Sequence, residues 1–287
     1  MLVDMHCHTD IWSPDGKQSV ELLLRAAKEQ GLAGVAVTDH YDHETVEPSG
    51  RRWVFDVHAY KTSLAEKRKP PSALRQGQFP GLLIGIEFSY FEQHAADINR
   101  LIRHGQLDFS IISLHEYRGV DPILQPHILY RGELPAIYER ILHALAETAE
   151  NIPSANIIGH YDFFSRYAPF KACKICYRHC PAAFDRLFRA MIRNDQALEI
   201  NTGTVEALHL KRGYALQDAM PDTEILSRYR ELGGRRITIG DDAHRPDDVG
   251  RCFAPTLRFL KSQGIDQLFW MEDRVWHAAP FSDMLCQ

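Results

Sequence analysis

Short apolar runs alternate with longer amphipathic stretches along most of the chain. Seven of these runs hold mainly Val, Ile, Leu and Ala with few polar interruptions, which is typical of parallel strands that are buried on both faces. They cover residues 2–5, 34–38, 82–86, 109–113, 156–159, 197–200 and 236–240. The pattern therefore predicts a parallel sheet.

Helical patterns separate the apolar runs. Residues 19–28 begin with Ser19, a favourable N-cap, and the pattern stops at Gly31, a common helix terminator. Similar patterns cover residues 134–149, 181–193, 222–232 and 248–264. Seven strand–helix repeats in order predict an α/β fold, a seven-stranded (β/α) barrel of the TIM-barrel type.

No linker interrupts this pattern, so we expect a single domain over residues 1–287, a length sufficient for one large α/β domain. Two segments are too long for simple turns. Residues 44–80, which contain several Lys, Arg and Pro residues, are expected to form a partly helical excursion over one end of the barrel. Residues 117–131 are expected to form a second such loop.

Every apolar run ends in a polar side chain of a type that can ligate a metal ion. The seven ends carry, in order, His6 and His8; Asp39 and His40; Glu87; His115; His160 and Asp162; Asn201; and Asp241, Asp242 and His244. In a (β/α) barrel the carboxyl ends of the strands converge on one face, and side chains two apart on a strand point the same way. Because unpaired buried charge is costly, this ring of ionisable groups predicts a metal cluster.

Composition limits the partners. The net charge of −5 argues against a general binder of nucleic acid or of membrane surfaces, although it is compatible with a small anionic substrate. No apolar run reaches about 18 residues, and Asp4 and His6 lie where a signal peptide would need basic and apolar regions. Six cysteines are then expected to be reduced thiols of a cytoplasmic protein, a monomer or a homo-oligomer.

The motifs at the strand ends resemble those of the PHP (polymerase and histidinol phosphatase) superfamily. They read HCHTDIWSPDG, AVTDH, GIEFS, ISLHE, IIGHYDFFSRY, EINTG and IGDDAHRPDDVG, and they are most similar to the histidinol-phosphate phosphatase branch. The resemblance extends from Val3 to about Gly264. It implies a distorted seven-stranded barrel whose trinuclear metal centre hydrolyses phosphomonoesters, here in histidine biosynthesis.

The resemblance also implies three metal sites. The expected ligand sets are His6, His8, Glu87 and Asp242 for the first ion; Glu87, His115 and His160 for the second; and Asp15, His40 and His244 for the third. Imidazoles combined with carboxylates suit zinc, manganese or iron. The loop that carries Asp15 is one residue longer than in relatives, so Asp10 is a rival, but the SPDG element favours Asp15.

The expected chemistry is attack of a metal-activated water on a phosphate ester. The leaving oxygen needs a proton, for which Asp242 and His244 are candidates. The candidate substrate-binding residues are Arg166, which matches a basic position of the family and suits phosphate, together with Asn201, Arg212 and Glu116. Glu116 would meet a cationic part of the substrate, or else be an exposed loop charge.

One segment departs from the family. Relatives commonly read Asn-Thr-Ser-Gly-Leu-Arg after the sixth strand, and this arginine can meet phosphate, whereas Glu206 occupies that position here. Either Arg212 takes its place, or the pocket differs. The departure keeps open an alternative to histidinol phosphate, namely another small phosphomonoester or a nucleotide. A non-catalytic PHP module is disfavoured by the complete ligand set.

A cysteine-rich segment lies outside this pattern. Cys173, Cys176, His179 and Cys180 have a spacing that could bind zinc. Zinc ribbons usually use two well-separated pairs of ligands, so we expect free thiols here.

Overall fold

Seven parallel strand positions form a ring in the residues that the computed structural model describes, which are 1–47, 49–68 and 80–281. Two of the positions consist of two short strands each. The strands are β1 (Val3–Cys7), β2 (Gly34–Val37) with β3 (His40–Tyr41), β4 (Gly81–Ile84) with β5 (Glu87–Ser89), β6 (Ile111–Ser113), β7 (Ile157–Ile158), β8 (Ala197–Asn201) and β9 (Ile237–Gly240). Each of the seven predicted apolar runs therefore contains a strand.

Parallel pairing connects the strands around the ring. β1 pairs with β2 and β2 with β4, while β3, β5, β6, β7, β8 and β9 follow one another in a second set. Beyond β9 the chain returns to β1, where the Asp242 N–H donates to His6 O at 2.9 Å and the His8 N–H donates to Ala243 O at 2.8 Å. The fold is the predicted distorted (β/α) barrel, and the carboxyl ends of its strands share one face, called the mouth below.

Helices surround the ring. They are α1 (Val20–Glu29), α2 (Val57–Ala65), α3 (Ala95–His104), α4 (Pro126–Leu129), α5 (Leu134–Asn151), α6 (Pro181–Arg193), α7 (Thr202–Glu206), α8 (Leu216–Ala219), α9 (Thr223–Glu231) and α10 (Phe253–Ser262). Ser19 caps α1 as predicted, because its Oγ accepts the Leu22 N–H at 3.3 Å. The predicted helices over 134–149, 181–193 and 222–232 are confirmed to within two residues.

The predicted helix over residues 248–264 is wrong at its start. Gly250 and Cys252 have left-handed φ values of 76° and 56°, which a right-handed helix does not accommodate, so α10 begins at Phe253. The pattern also missed α3 (Ala95–His104), whose polar face is long and whose buried positions are few.

An antiparallel hairpin, β10 (Gln267–Glu272) and β11 (Val275–Pro280), covers the amino end of the barrel. Its Trp270 and Met271 join the apolar residues that fill the inside of the ring, among them Val3 and Met5 of β1. The Asp273 N–H donates to Asp108 Oδ1 at 2.9 Å, just before β6. This hairpin was not predicted, and it leaves the opposite face, the mouth, for chemistry.

The two predicted excursions lie beside the mouth. The first contains α2, whose Tyr60 hydroxyl donates to Gly85 O at 2.8 Å and fixes the helix to the break between β4 and β5. Residue 48 and residues 69–79 of that excursion lie outside the described residues. The second, residues 117–131, contains the short helix α4. The single-domain boundary of 1–287 stays a prediction.

Candidate metal centre

The nine predicted metal ligands all lie at the mouth. His6 is inside β1 and His8 directly follows it. Because side chains two residues apart on a strand point the same way, both imidazoles face the same space. The others come from the first residues of β3 and β5, from the turns that follow β6, β7 and β9, and from the loop before α1: His40, Glu87, His115, His160, Asp242, His244 and Asp15.

Glu87 is the centre of this cluster. It is completely buried, and each of its carboxylate oxygens faces imidazole nitrogens. Oε1 lies 2.9 Å from His160 Nε2 and 3.2 Å from His115 Nε2. Oε2 lies 2.8 Å from His40 Nδ1, 3.3 Å from His6 Nε2 and 3.6 Å from His8 Nε2. A single carboxylate thus reaches members of all three expected ligand sets.

Asp242 lies on the other side of the β1 histidines. Its Oδ1 is 3.1 Å from His8 Nε2 and 3.7 Å from His6 Nε2, which brings together the four residues of the first expected set. Its Oδ2 accepts a hydrogen bond from Arg166 Nη1 at 2.8 Å. The carboxylate therefore connects the cluster to a cation.

Asp15, rather than its rival Asp10, lies in the cluster. Asp15 Oδ2 is 3.1 Å from His244 Nε2 and 3.6 Å from His40 Nε2, and these two imidazole nitrogens are 3.4 Å apart. Asp10 is exposed. Gly16, which directly follows Asp15, lies so close to the backbone at Thr9 that a Cβ would clash with Thr9 O at 2.2 Å.

Four buried ligand atoms of the cluster have no hydrogen-bond partner among the described residues: His6 Nε2, His40 Nδ1, Glu87 Oε2 and Asp15 Oδ1. Unsatisfied buried polar atoms are costly, and a bound cation removes the cost. The donor atoms also form groups within 4.8 Å, namely His6, His8 and Glu87; His40, Glu87 and His115; and His8, His40 and His244. The site therefore fits divalent metal ions.

The ionisation of the cluster has the form expected for a metal site. Burial would raise the pKa of Glu87, but the charges of His6 and His115 hold it well below its usual value. Burial would lower the pKa of His6, but the carboxylates of Glu199 and Glu87 raise it well above its usual value. Burial and neighbouring imidazoles lower the pKa of His8. Without an ion, His6 therefore retains a proton that a metal ion would have to displace.

Supporting residues that the sequence interpretation missed hold these side chains. Glu199, in the middle of β8, has its Oε1 2.6 Å from His6 Nδ1 and accepts the His160 N–H on Oε2 at 2.5 Å. Ser113 Oγ donates to Glu87 Oε1 at 2.6 Å, and Ser89 Oγ is 2.9 Å from His115 Nδ1. Second partners of this kind fix the orientation of ligating imidazoles.

Arg166 follows the turn after β7 and enters the mouth with three of its five N–H donors used. Nη1 donates to Asp242, Nη2 donates to Asn201 Oδ1 at 2.8 Å, and Nε donates to Thr204 Oγ1 at 2.7 Å. Its guanidinium also lies 5.2 Å from the centre of the Phe163 ring. Arg166 and Asn201 are thus one unit, rigidly held beside the cluster.

A cavity of about 720 Å³ opens above the cluster. Of the four candidate substrate-binding residues, Arg166, Arg212 and Glu116 line it, and Asn201 does not. Arg212 does not point freely into the space, because its Nε and Nη2 donate to Arg166 O at 2.9 and 2.6 Å. Glu206, where the family resemblance implies an arginine, accepts a hydrogen bond from Arg251 Nη1 on Oε2 at 2.9 Å.

The cysteine-rich segment is separate from this centre. Cys173, Cys176 and Cys180 are free thiols and are absent from the donor groups that could share a metal within the described ranges. Cys176 Sγ lies 3.8 Å from Lys174 O, and Cys180 Sγ lies 3.6 Å from Pro135 O. The thiols of Cys176 and Cys180 therefore have different partners.

The fold and the mouth define a class of protein, the (β/α) barrels that bind metal ions at the carboxyl ends of their strands. The PHP domain family matches residues 4–203, and the chain belongs to this family. The sequence resemblance is thereby confirmed. No helix among residues 1–47, 49–68 and 80–281 combines the length and apolar character needed to cross a bilayer.

Relatives within this family match nearly the whole chain. A probable histidinol-phosphatase of Clostridium acetobutylicum is 26% identical over 274 residues, which cover 94% of this chain and 97% of the relative. A histidinol-phosphatase of Lactococcus lactis is 24% identical and covers 84% of both. The crystal structure of histidinol phosphate phosphatase from Lactococcus lactis, complexed with zinc, L-histidinol and phosphate, superposes with a TM-score of 0.78, 22% identity and coverage of 96% and 98%. That similarity confirms the fold.

Proposed function

We propose that the protein is a metal-dependent phosphomonoester hydrolase that converts L-histidinol phosphate and water to L-histidinol and phosphate. The observation that carries the proposal is the buried cluster of six imidazoles and three carboxylates, with partnerless donor atoms, directly beside the guanidinium of Arg166. The names of the relatives and the zinc, L-histidinol and phosphate in the Lactococcus lactis structure support this substrate.

The proposed cofactor is a set of three divalent ions, zinc, manganese or iron. His6, His8 and Asp242 would hold the first ion, and His115 and His160 would hold the second. Glu87 would be shared by these two ions. Asp15, His40 and His244 would hold the third. The short distances between Glu87 and its imidazoles support this assignment. Such ions neutralise phosphate oxygens and lower the pKa of a bound water.

Arg166 is proposed to bind the phosphate. Two of its N–H donors remain after its contacts with Asp242, Asn201 and Thr204, and its side chain lines the cavity. A planar guanidinium with two free donors matches two phosphate oxygens. Asn201 accepts from Arg166 through Oδ1, so we propose that it positions the guanidinium and reaches the substrate only through it.

Asp242 and His244 are proposed to control the proton that the leaving oxygen requires. Burial would raise the pKa of Asp242, but His6, His8 and Arg166 hold it well below its usual value. Burial would lower the pKa of His244, but Asp15 and Asp242 raise it. Before an ion binds, His244 is therefore the member of the pair that retains a proton.

The cationic part of the substrate is proposed to lie toward Glu116. Burial and the neighbouring carboxylates of Asp42 and Asp121 raise the pKa of Glu116, and all three side chains line the cavity. A cluster of acids that is separated from Arg166 suits a substrate with phosphate at one end and an amine or imidazole at the other. A nucleotide has no comparable cationic group, which disfavours a nucleotide as the substrate.

We also propose a cytoplasmic enzyme whose partner is this small substrate rather than nucleic acid or a membrane. The net charge of −5 argues against nucleic acid and membrane surfaces as partners. The five free thiols among the described residues support the cytoplasmic location. A monomer or a homo-oligomer both stay compatible with it.

The test is phosphate release from a panel of substrates, with metal content measured on the same sample. We expect kcat/KM for L-histidinol phosphate to exceed that for nucleotides and other small phosphomonoesters by about 100-fold or more. Glu87→Gln, assayed in parallel, should lose release from every substrate and so exclude a contaminating phosphatase. Equal turnover of nucleotides would favour the alternative substrate class, and no turnover by the metal-loaded protein would favour a non-catalytic module.

A further inference from the structure

Asp242 has an unusual backbone conformation for a candidate metal ligand. Its φ is 59°, in the left-handed region, which costs a residue with a side chain roughly 1 kcal/mol. Its N–H is bound to His6 O at 2.9 Å, so the turn is also the place where the ring closes onto β1. Strained conformations persist only where surrounding contacts enforce them.

Arg251 supplies those contacts. Nη2 donates to Asp241 O at 2.7 Å and to Asp242 O at 3.3 Å, and Nε donates to Asp241 O at 3.2 Å. The guanidinium therefore bridges the carbonyl groups on both sides of Asp242. The Asp241 side chain adds a second restraint, since its Oδ1 accepts the Ala243 N–H at 2.9 Å.

Two further residues place the guanidinium. Glu206 Oε2 accepts from Arg251 Nη1 at 2.9 Å, and both side chains are mostly buried, 27% and 18% exposed. Gly203 leaves room for the guanidinium, because a Cβ there would lie 2.9 Å from Arg251 Nη2 and 2.6 Å from Asp241 O.

We infer that Arg251 is a positioning residue that holds the left-handed turn of Asp242 and thereby keeps its carboxylate in place for metal binding. Glu206 orients the guanidinium of Arg251, and the absence of a side chain at Gly203 leaves room for it. The inference rests on the proposed metal centre. It gives Glu206 a role that does not involve the substrate, and it explains how an acidic residue is tolerated on the wall of a phosphate-binding cavity.

A different role would follow if Arg251 itself bound the phosphate, since its side chain also lines the cavity. The contacts favour positioning, because Nε, Nη1 and Nη2 all have acceptors within the protein. The two roles separate in experiment. A positioning residue changes metal affinity measured without substrate, whereas a phosphate ligand changes KM at saturating metal.

The experiment measures Zn²⁺ and Mn²⁺ affinity by competition with a chelator for the wild type, Arg251→Met, Arg251→Lys and Glu206→Gln. We expect Arg251→Met to weaken metal affinity about 10- to 100-fold, with KM at saturating metal changed by less than about twofold. Arg251→Lys should recover part of the loss. Glu206→Gln should weaken affinity by less than Arg251→Met, and its effect should vanish in the Arg251→Met background.

Arg228→Met is the matched control, because Arg228 donates to Asp185 at 2.7 Å on the outer helices and should leave metal affinity unchanged. If Arg251→Met fails to fold, Arg251→Lys and Glu206→Gln still test the inference. Unchanged metal affinity in the three variants overturns it, as does a rise in KM alone. A wild type that binds no divalent ion would overturn the proposed function as well, whereas turnover of a different phosphomonoester would leave this inference intact.

Discussion

Glu87 and Asp15 have different burial although both contact histidines of the mouth. Glu87 has no exposed surface, while the Asp15 side chain is 41% exposed and comes from a loop instead of a strand. A buried carboxylate among imidazoles is fixed by the fold, whereas a loop carboxylate is held mainly by the ion that it binds. Asp15 is therefore the ligand whose loss should affect one ion and spare the rest of the structure.

We predict that Asp15→Asn lowers the metal content by about one ion per chain and the activity by roughly 100-fold, because it removes the carboxylate shared by His40 and His244. Asp10→Asn, at the exposed rival position, should retain full metal content. Metal analysis after gel filtration, together with kcat on histidinol phosphate, checks both. The reverse result would assign the ligand to Asp10.

At this scale the sequence predicts which residues gather at the mouth better than it predicts the residues that hold them in place. His6, His8 and Asp242 could be found because each lies at or beyond the end of an apolar run, where a parallel barrel exposes its strands. Glu199 could not be found, because it is embedded in the apolar run of β8, and its partners are 193 and 39 residues away along the chain. Arg251 was missed because its role depends on a turn of the backbone that no spacing reveals.

At the scale of elements, the hairpin β10–β11 and the helices pack against different sides of the ring of strands. The hairpin fills the amino end of the ring with Trp270 and Met271, while the helices bury the outside of the strands. The hairpin was not foreseen because β11 is largely exposed or half-buried, with only Ala279 buried, and so lacks the apolar run of the buried strands. The interruption between β4 and β5 was also missed, because the apolar run over residues 82–86 continues through it. The short strand β3 was missed because it begins after the apolar run over residues 34–38 has ended.

We predict that Trp270→Ala lowers the free energy of unfolding by about 3 kcal/mol, because it empties a large volume at the closed end of the barrel. Activity at 25 °C should be nearly unchanged, since the mouth is at the other end. Val275→Ala, on the same hairpin but 55% exposed, should change stability by less than about 0.5 kcal/mol. Urea unfolding measures both; equal effects would mean that the hairpin does not close the barrel.

An ion pair between α6 and α9 predicts a pH-dependent stability. The hydrogen bonds from Arg228 are the main cause that lowers the pKa of Asp185 to about 2. Because this folded value is below the unfolded value of about 4, the pair stabilises the protein above that pH and loses its contribution as the pH falls toward 2. Asp185→Asn should be less stable by about 1 kcal/mol at pH 7, and the difference should shrink near pH 3.

Urea unfolding of both proteins in a chelator measures this difference, so that loss of metal in acid does not contribute. Glu29→Gln, on the exposed side of α1, is the control and should show a difference from wild type that is independent of pH. A difference for Asp185→Asn that stays constant from pH 7 to pH 3 would contradict the assignment of the pair.

On the scale of the whole molecule, the proposed centre takes its ligands from strand positions all around the ring, so we expect metal binding and folding to be coupled. We predict that removing the metal with a chelator lowers the midpoint of thermal unfolding by roughly 10 °C, because ions that bind only the folded state stabilise it by several kcal/mol. Adding back zinc or manganese should restore the midpoint in differential scanning fluorimetry. A midpoint that is insensitive to the chelator would show that the folded state does not depend on bound ions.

The closure of the ring has a further consequence for synthesis of the protein. The backbone of His6 and His8 finds its last partners in Asp242 and Ala243, more than 230 residues later. In a nascent chain, His6 and His8 are therefore translated long before Asp242 and Ala243. Contacts between residues so distant along the chain form late in folding. If the proposed centre binds ions through His6, His8 and Asp242, complete occupancy would accordingly require that the final strand has been made and docked.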